Sequence, residues 1–330
     1  MNISVILCTY NRCRSLARTL DSLAVQQLPD SVDWEVIVVD NNSKDQTREV
    51  VEEFCGPHSG RFRYLFEPQQ GLSHARNAGI REARGDVLAF TDDDVTLDPK
   101  WLLNLTSALR DGTAVGTGGR ILPEQTFVPP RWLSVNQKHA LAPLAIFDGG
   151  ASPYQLADPP FGANMAFQKK MFEKYGVFRT DLGRCGESLI SNEDTEYGRR
   201  LLTAGEPLRY EASAIIYHPV TENRMEKKYF LAWWLGKGRA NIRQLAAPLN
   251  TKWQVAGVPF ALFFKLADYT LRWMLTFESA KRFNCRVAVW EKIGEILESY
   301  NLSRNRNGIH SRKRFIAGDG ISVQSDESRP

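Results

Sequence analysis

Three consecutive carboxylates, Asp92-Asp93-Asp94, follow the apolar run Val87-Leu88-Ala89-Phe90-Thr91. A short run of this kind has the composition of a buried strand, so the carboxylates fall at its end. Like charges on adjacent residues repel, and they become tolerable when a divalent cation or sugar hydroxyls take up the charge. A solvated acidic turn, ahead of a helix starting near Asp98-Pro99, accounts for the same residues without any ligand. A second acidic group, Asn192-Glu193-Asp194, has a polar cap, an acidic first turn and the basic Arg199-Arg200 beyond it. Capping explains that pattern without chemistry. A lone histidine, His218, closes the apolar run Ala214-Ile215-Ile216-Tyr217. Such a residue is either a core group or, as neutral imidazole, a metal ligand.

The elements that must position these groups are legible. Ile3-Ser4-Val5-Ile6-Leu7-Cys8 reads as a buried strand ending in Thr9-Tyr10-Asn11-Arg12, and Ser15 fits as the cap of a helix with Leu16, Leu20 and Leu23 on one face. Trp34-Glu35-Val36-Ile37-Val38-Val39-Asp40 is a β-branched strand stopping at Asn41-Asn42-Ser43, after which Ser43 or Asp45 can cap a helix. A short strand over 63–66, a helix over 73–83 and the strand over 87–90 follow. Strand-helix alternation at this spacing predicts an α/β fold, a mostly parallel sheet with helices on both faces. Ligands of such sheets bind beyond the carboxyl ends of the strands, where all three polar clusters fall. Neither G-x-G-x-x-G nor G-x-x-x-x-G-K follows the first strand, so a nucleotide here would have its charge balanced by a metal on the Asp cluster.

Cys8-Thr9-Tyr10-Asn11-Arg12, Val38-Val39-Asp40-Asn41-Asn42-Ser43, Gly71-Leu72-Ser73-His74-Ala75-Arg76-Asn77-Ala78-Gly79, the Asp triplet and Asn192-Glu193-Asp194 occur in an order and spacing that cover roughly residues 3–220. In these pieces the chain resembles the inverting family-two glycosyltransferases with a GT-A fold. The resemblance implies that Thr9, Tyr10, Asn11 and Asp40 line the donor pocket, with Asp40 an acceptor for base or ribose. Arg76 and Asn77 would lie near the nucleotide, Asp92 would face the ribose side, Asp93 would be a further donor-binding residue, and Asp94 and His218 would lie on a divalent metal, Mg2+ or Mn2+. It makes Asp194 the general base that deprotonates the acceptor hydroxyl, with Glu193 supporting it or touching the acceptor. Arg76 in a plain surface salt bridge is the competing reading. Pro160-Phe161-Gly162-Ala163-Asn164 resembles the family's small-residue strand beside the sugar, where Asn164 offers a donor and an acceptor; a tightly packed strand with Asn164 bonded to backbone is the alternative.

The implied activity is transfer from a nucleotide-diphosphate sugar, UDP-sugar by family habit with GDP- and TDP-sugars open, to a hydroxyl of a glycan or lipid-linked glycan. A sugar nucleotidyltransferase of related fold, or an inactive membrane-bound glycan-binding subunit, are the alternatives. The first would favour a Gly- and Arg-rich triphosphate loop after the first strand, which Thr9-Tyr10-Asn11-Arg12 does not offer.

Across the 330 residues, 43% hydrophobic and 24% charged residues suit an ordinary globular protein. Five scattered cysteines (Cys8, Cys13, Cys55, Cys185, Cys285) lack metal-finger or redox spacing, and no signal core precedes Ile3, so a reduced, cytoplasmic setting is expected. The net charge of +4 is uneven: residues 225–315 hold 17 Lys or Arg against 6 Asp or Glu, a balance of +11. That pattern points to an anionic membrane surface, with no nucleic acid expected.

These features divide the chain into a catalytic region over 1–224 (donor half 1–112, acceptor half 113–224), a helical amphipathic region over 225–300 and a disordered tail over 301–330. Between 113 and 160, Gly- and Pro-rich sequence predicts one or two strands and a long mobile segment, either a lid or an excursion. Residues 255–264 are apolar but too few to span a bilayer. In the following helix Lys265, Asp268, Arg272, Thr276 and Ser279 form one stripe, with Phe263, Leu266, Thr270, Trp273, Met274 and Phe277 mainly on the other side. This helix either lies in a membrane interface or packs on the catalytic region.

Overall fold

A computed structural model describes residues 2–58, 60–135, 140–245 and 253–318, with side chains described as far as 305. The amino-terminal half alternates as read: β1 (Ile3–Thr9), α1 (Cys13–Ala24), β2 (Trp34–Asp40), α2 (Thr47–Cys55), β3 (Phe62–Phe66), α3 (Leu72–Glu82) and β4 (Val87–Thr91). The two-residue β5 (Thr96–Leu97) and the short helices α4 (Trp101–Leu105) and α5 (Ser107–Arg110) lead to β6 (Gly116–Pro123). Then come β7 (Tyr154–Gln155), β8 (Asn164–Gln168), α6 (Lys169–Tyr175), α7 (Glu193–Thr203) and β9 (Leu208–His218).

The sheet order is β3-β2-β1-β4-β8-β6-β9-β5, with β7 pairing β9. The first four strands are parallel, β8 is antiparallel between β4 and β6, and β9 is parallel to β6. Alternation along the strands divides the core into two layers. Val5, Leu7, Val36, Val38 and Ala89 meet α1, α4 and α5 on one face. Ile6, Ile37, Val39, Leu88 and Phe90 meet α3, α6 and α7 on the other. Asp45, rather than Ser15, serves the first turns of α1 and α2, accepting from Cys13 N at 3.1 Å and Thr47 N at 3.1 Å.

The segment after β6 is packed rather than loose. Leu133, Leu144 and Ile146 form a third apolar cluster with Phe230, Leu231 and Phe283. Trp132 lies edge-on to Phe230 and Phe283, with ring centroids 5.2 and 4.5 Å away. Phe230 and Leu231 belong to α8 (Lys227–Arg243), and Phe283 to α10 (Ser279–Gly318); the hairpin β10 (Gln254–Val255) and β11 (Val258–Pro259) and then α9 (Phe260–Leu275) lie between them in the chain. A Cβ on Gly238 would overlap the Glu291 carbonyl, and one on Gly294 the Leu235 carbonyl, so α8 and α10 cross backbone to backbone. Helix α10 continues past residue 301, where composition predicts disorder, to Gly318; residues 319–330 of that predicted tail lie outside the described residues.

Helix α9 has three sides rather than two. Leu262 is buried, and Trp273 sits 6.4 Å from Trp290 of α10 with Arg286 over both rings. Lys265, Asp268 and Arg272 form the polar side, with Arg272 paired to Asp268. Phe260, Phe264, Leu271, Met274 and Leu275 form an exposed apolar row, continued by Phe277 at 91% exposure. Trp273 keeps to the apolar side, but α10 covers it, so the expected single apolar face is divided into a packed side and an exposed row. No helix among the described residues is long and apolar enough to cross a membrane.

Candidate active site

Strands β1 and β4 pair directly and in parallel, so the Thr9-Tyr10 end and the Asp92-Asp93-Asp94 end open side by side. They line a cavity of about 510 Å³ shared with Arg76, Glu193, Asp194 and His218. Three clusters far apart in sequence thus converge.

Asp94 is buried and bound by Arg12 Nη1, with Arg224 Nη2 at 3.4 Å and His218 Nε2 at 3.5 Å. Burial pushes its carboxyl up, but His218, Arg12 and Arg224 outweigh that, and it lies below the usual range. For Asp93 burial wins over Arg12, with Asp94 adding repulsion, and the carboxyl is pushed up to about 7. Burial likewise lowers His218, against the pull of Asp94 and with the help of Arg224. Its Nδ1 is buried with no hydrogen-bond partner, and Nε2 is 3.0 Å from Arg224 Nη1. One carboxylate oxygen and one neutral imidazole nitrogen, facing each other at the cavity wall, are a donor set that suits Mg2+ or Mn2+. The residues present therefore fit a divalent cation. Among the described residues no group of three or more His, Cys, Asp or Glu is placed to hold a metal ion, so the other ligands would come from substrate or water.

Across the cavity, Asn192 stands at φ 79° immediately before α7, and Glu193 and Asp194 begin the helix. Asp194 Oδ2 accepts from Gly162 N at 2.7 Å and Oδ1 from Thr195 N at 2.6 Å. Oδ1 also accepts from Thr195 Oγ1 at 3.2 Å, so Oδ2 is the oxygen that keeps a second lone pair. A Cβ at Gly162 would stand 2.9 Å from Asp194 Oδ2 and 2.7 Å from Arg76 Nη2, so this approach requires glycine. Arg76 is buried rather than in a surface bridge. It donates from Nη1 to Glu193 Oε1 at 2.7 Å and from Nη2 to the Gly162 carbonyl at 3.0 Å, with Asp92 3.9 Å away. Burial, then the Asp194 charge, push the Glu193 carboxyl up against the pull of Arg76, and its Oε2 is buried without a partner.

Other residues named from sequence stand elsewhere. Asp40 is buried under the rim, accepting from Ser43 N at 2.9 Å and the Tyr64 hydroxyl at 2.9 Å; its neighbour Asn41 lines the cavity instead. Asn11, at φ 52°, is tied to Ser43 and Lys44 outside the cavity. Asn77 exchanges two hydrogen bonds with the Phe178 backbone. Asn164 accepts from Trp101 Nε1 and donates to the Arg120 and Ala214 carbonyls, as the packed-strand reading has it. Neither Asn77 nor Asn164 lines the cavity, because a buried amide must satisfy its own donors and acceptor first.

Arg224, Trp233, Trp234 and Lys237 are lining residues that sequence reasoning passed over. Arg12 was visible in its motif without a role. The tandem tryptophans, with a basic residue one helical turn on, carried a signal absorbed by the basic, amphipathic character of the back third. Helix α8 thereby brings aromatic side chains to the cavity lining.

The sequence model described as glycosyl transferase family 2 matches residues 4–176, just over half of the chain. Succinoglycan biosynthesis protein ExoM of Rhizobium meliloti is 28% identical over 260 residues, 78% of this chain and 80% of that protein. A glucosyl-dolichyl phosphate glucuronosyltransferase of Haloferax volcanii is 26% identical over 242 residues, 72% of this chain and 75% of its own. Among solved structures, a mannosyltransferase from Pyrobaculum calidifontis, in complex with GDP-Man and Mn2+, superposes with a TM-score of 0.57 at 17% identity, covering 95% of this chain and 80% of that one. That likeness carries the fold. The chain belongs to glycosyl transferase family 2, and is a glycosyltransferase with a GT-A-type α/β fold.

Proposed function

We propose that the protein is an inverting, metal-assisted glycosyltransferase that moves a sugar from a nucleotide-diphosphate sugar, a UDP-sugar first, to a hydroxyl of a glycan or lipid-linked glycan. The observation that carries this reading is one cavity shared by a cation-suited pair, Asp94 and His218, and a hydrogen-bonded carboxylate, Asp194. The names of the bacterial and archaeal relatives, a succinoglycan biosynthesis protein and a dolichyl phosphate enzyme, support the acceptor class. Asp94 and His218 would hold the cation, which when bound neutralises charge on the diphosphate leaving group. Thr9, Tyr10 and Asp92 border the donor. Asp194 takes the acceptor proton as the acceptor oxygen bonds to the anomeric carbon and the bond to the diphosphate oxygen breaks on the opposite face. Arg76 anchors Glu193 and Gly162, and so holds the wall that carries Asp194.

Asp94→Asn removes a charged oxygen donor, and calorimetry with UDP-sugar or GDP-sugar and Mn2+ should show metal-dependent binding weakened by roughly ten- to a hundredfold. Unchanged affinity and unchanged metal dependence would overturn the assignment.

The same reading places the enzyme peripherally on the cytoplasmic face of a membrane. The exposed row of α9 and the +11 balance over residues 225–315 both support it. Each Lys or Arg near an anionic surface contributes roughly 1 kcal/mol of attraction, and inserted apolar side chains add a part that salt does not screen. The protein should therefore pellet with phosphatidylserine vesicles, less so but still measurably in high salt. Retention in the supernatant at low salt would sink the membrane reading.

A further inference from the structure

The side chain of Asn192 is gripped from the carboxy-terminal helices. Lys237 Nζ donates to its Oδ1 at 2.6 Å, and its Nδ2 donates to Asn241 Oδ1 at 3.0 Å and Gln244 Oε1 at 3.1 Å. Residues 237, 241 and 244 are spaced four and three apart, so they share one face of α8 and its carboxyl end. Behind them Asn241 Nδ2 donates to Glu291 Oε1 of α10 at 3.0 Å, at the level where Gly238 lets the two backbones touch.

This grip has a target. Asn192 holds a left-handed backbone, which an asparagine adopts only at some cost and keeps when its surroundings over-determine it. The next two residues are Glu193 and Asp194. We propose that the Lys237-Asn241-Gln244 face of α8 is the positioning element of the catalytic centre: by holding the Asn192 side chain it fixes the turn that aims Asp194 into the cavity. This rests on the reading of Asp194 as the base. Lys237 acts here through Asn192, and so is a positioning residue, although it also borders the cavity. A small displacement of a reacting group is enough to matter, since a misplacement of about 1 Å costs on the order of a hundredfold in rate.

The test measures kcat, acceptor KM and calorimetric donor binding for Lys237→Met, Asn192→Gly and the double variant. Lys237→Met is expected to lower kcat roughly ten- to a hundredfold while donor affinity stays within about twofold. Asn192→Gly keeps the positive φ without strain but loses all three bonds, and is expected to match that loss. The double variant should be no worse than the poorer single one, because both break the same link. Lys237→Arg, which retains a donor, should recover part of the rate. Multiplying losses with a raised acceptor KM would mean that Lys237 binds the acceptor directly, and would overturn the proposal, as would an undiminished kcat. Should Lys237→Met not fold, Gln244→Ala at the end of the stripe is read the same way, with a severalfold drop expected and parental kcat overturning it. Asp194→Asn is run alongside. If it loses transfer while Lys237→Met does not, only the positioning proposal falls; if it keeps transfer, the base assignment falls and the proposal with it.

Discussion

Replacing Asp194 by Asn is expected to leave donor binding intact and to cut sugar transfer by about a hundredfold to ten-thousandfold. The substitution is nearly isosteric, so the cavity keeps its shape. The amide oxygen can still accept from Thr195 N, which now reaches Oδ1 at 2.6 Å. The amide nitrogen would face Gly162 N, a donor against a donor, so one hydrogen bond is lost in addition to the proton acceptor. Single-turnover transfer with saturating donor isolates the chemical step from release. Transfer at close to the parental rate would show that another group takes the proton. Glu193, next to it and with an orphaned Oε2, is then the residue to replace.

Arg76→Met should be the most damaging change to stability. The Arg76 and Glu193 side chains are 4% and 5% exposed, and removing the guanidinium leaves a buried carboxyl and the Gly162 carbonyl without their donor. Breaking a buried pair from one side costs about 3–5 kcal/mol. The pH dependence follows from the direction of the Glu193 shift. Burial and Asp194 raise its pKa in the folded state, so the folded protein binds a proton more readily than the unfolded chain. Without Arg76 that upward shift grows. The deficit is therefore smallest below the ordinary carboxylate range and deepens as pH rises through the raised folded value. Urea unfolding at several pH values would show it, and a deficit independent of pH would mean that the loss is one of packing alone.

Much of this site is legible in the sequence because strand ends are legible. Apolar runs of five to eight residues that stop at polar groups mark both the strand and the rim, and Thr9, Asp92, Asp94 and His218 all reach the cavity that way. Asn77 and Asn164 show the limit of the method. They sit in the right stretches, yet their amides close hydrogen bonds with Phe178, Arg120 and Ala214, partners 101, 44 and 50 residues away, which spacing cannot reveal. The contribution of α8 was hidden for the same reason. The grip on Asn192 joins residues 45 to 52 positions apart. In α9 the period separates polar from apolar correctly, but periodicity does not say which apolar residues a neighbour covers. Trp273 packs on α10, whereas Phe264 and Leu271 stay exposed.

The third apolar cluster also sets a timetable. Leu133, Leu144 and Ile146 are covered by Phe230, Leu231 and Phe283, so the cover is made as much as 150 residues after the surface it protects. At about 5–20 residues per second, translation leaves that surface open for roughly 8–30 s. The strands β1, β2 and β3 find their strand partners within the first 91 residues, whereas β4 waits for β8. A nascent chain halted before Met225 is accordingly a sticky one, and holdase chaperones should crosslink to it around Leu133 and release it once α10 has emerged.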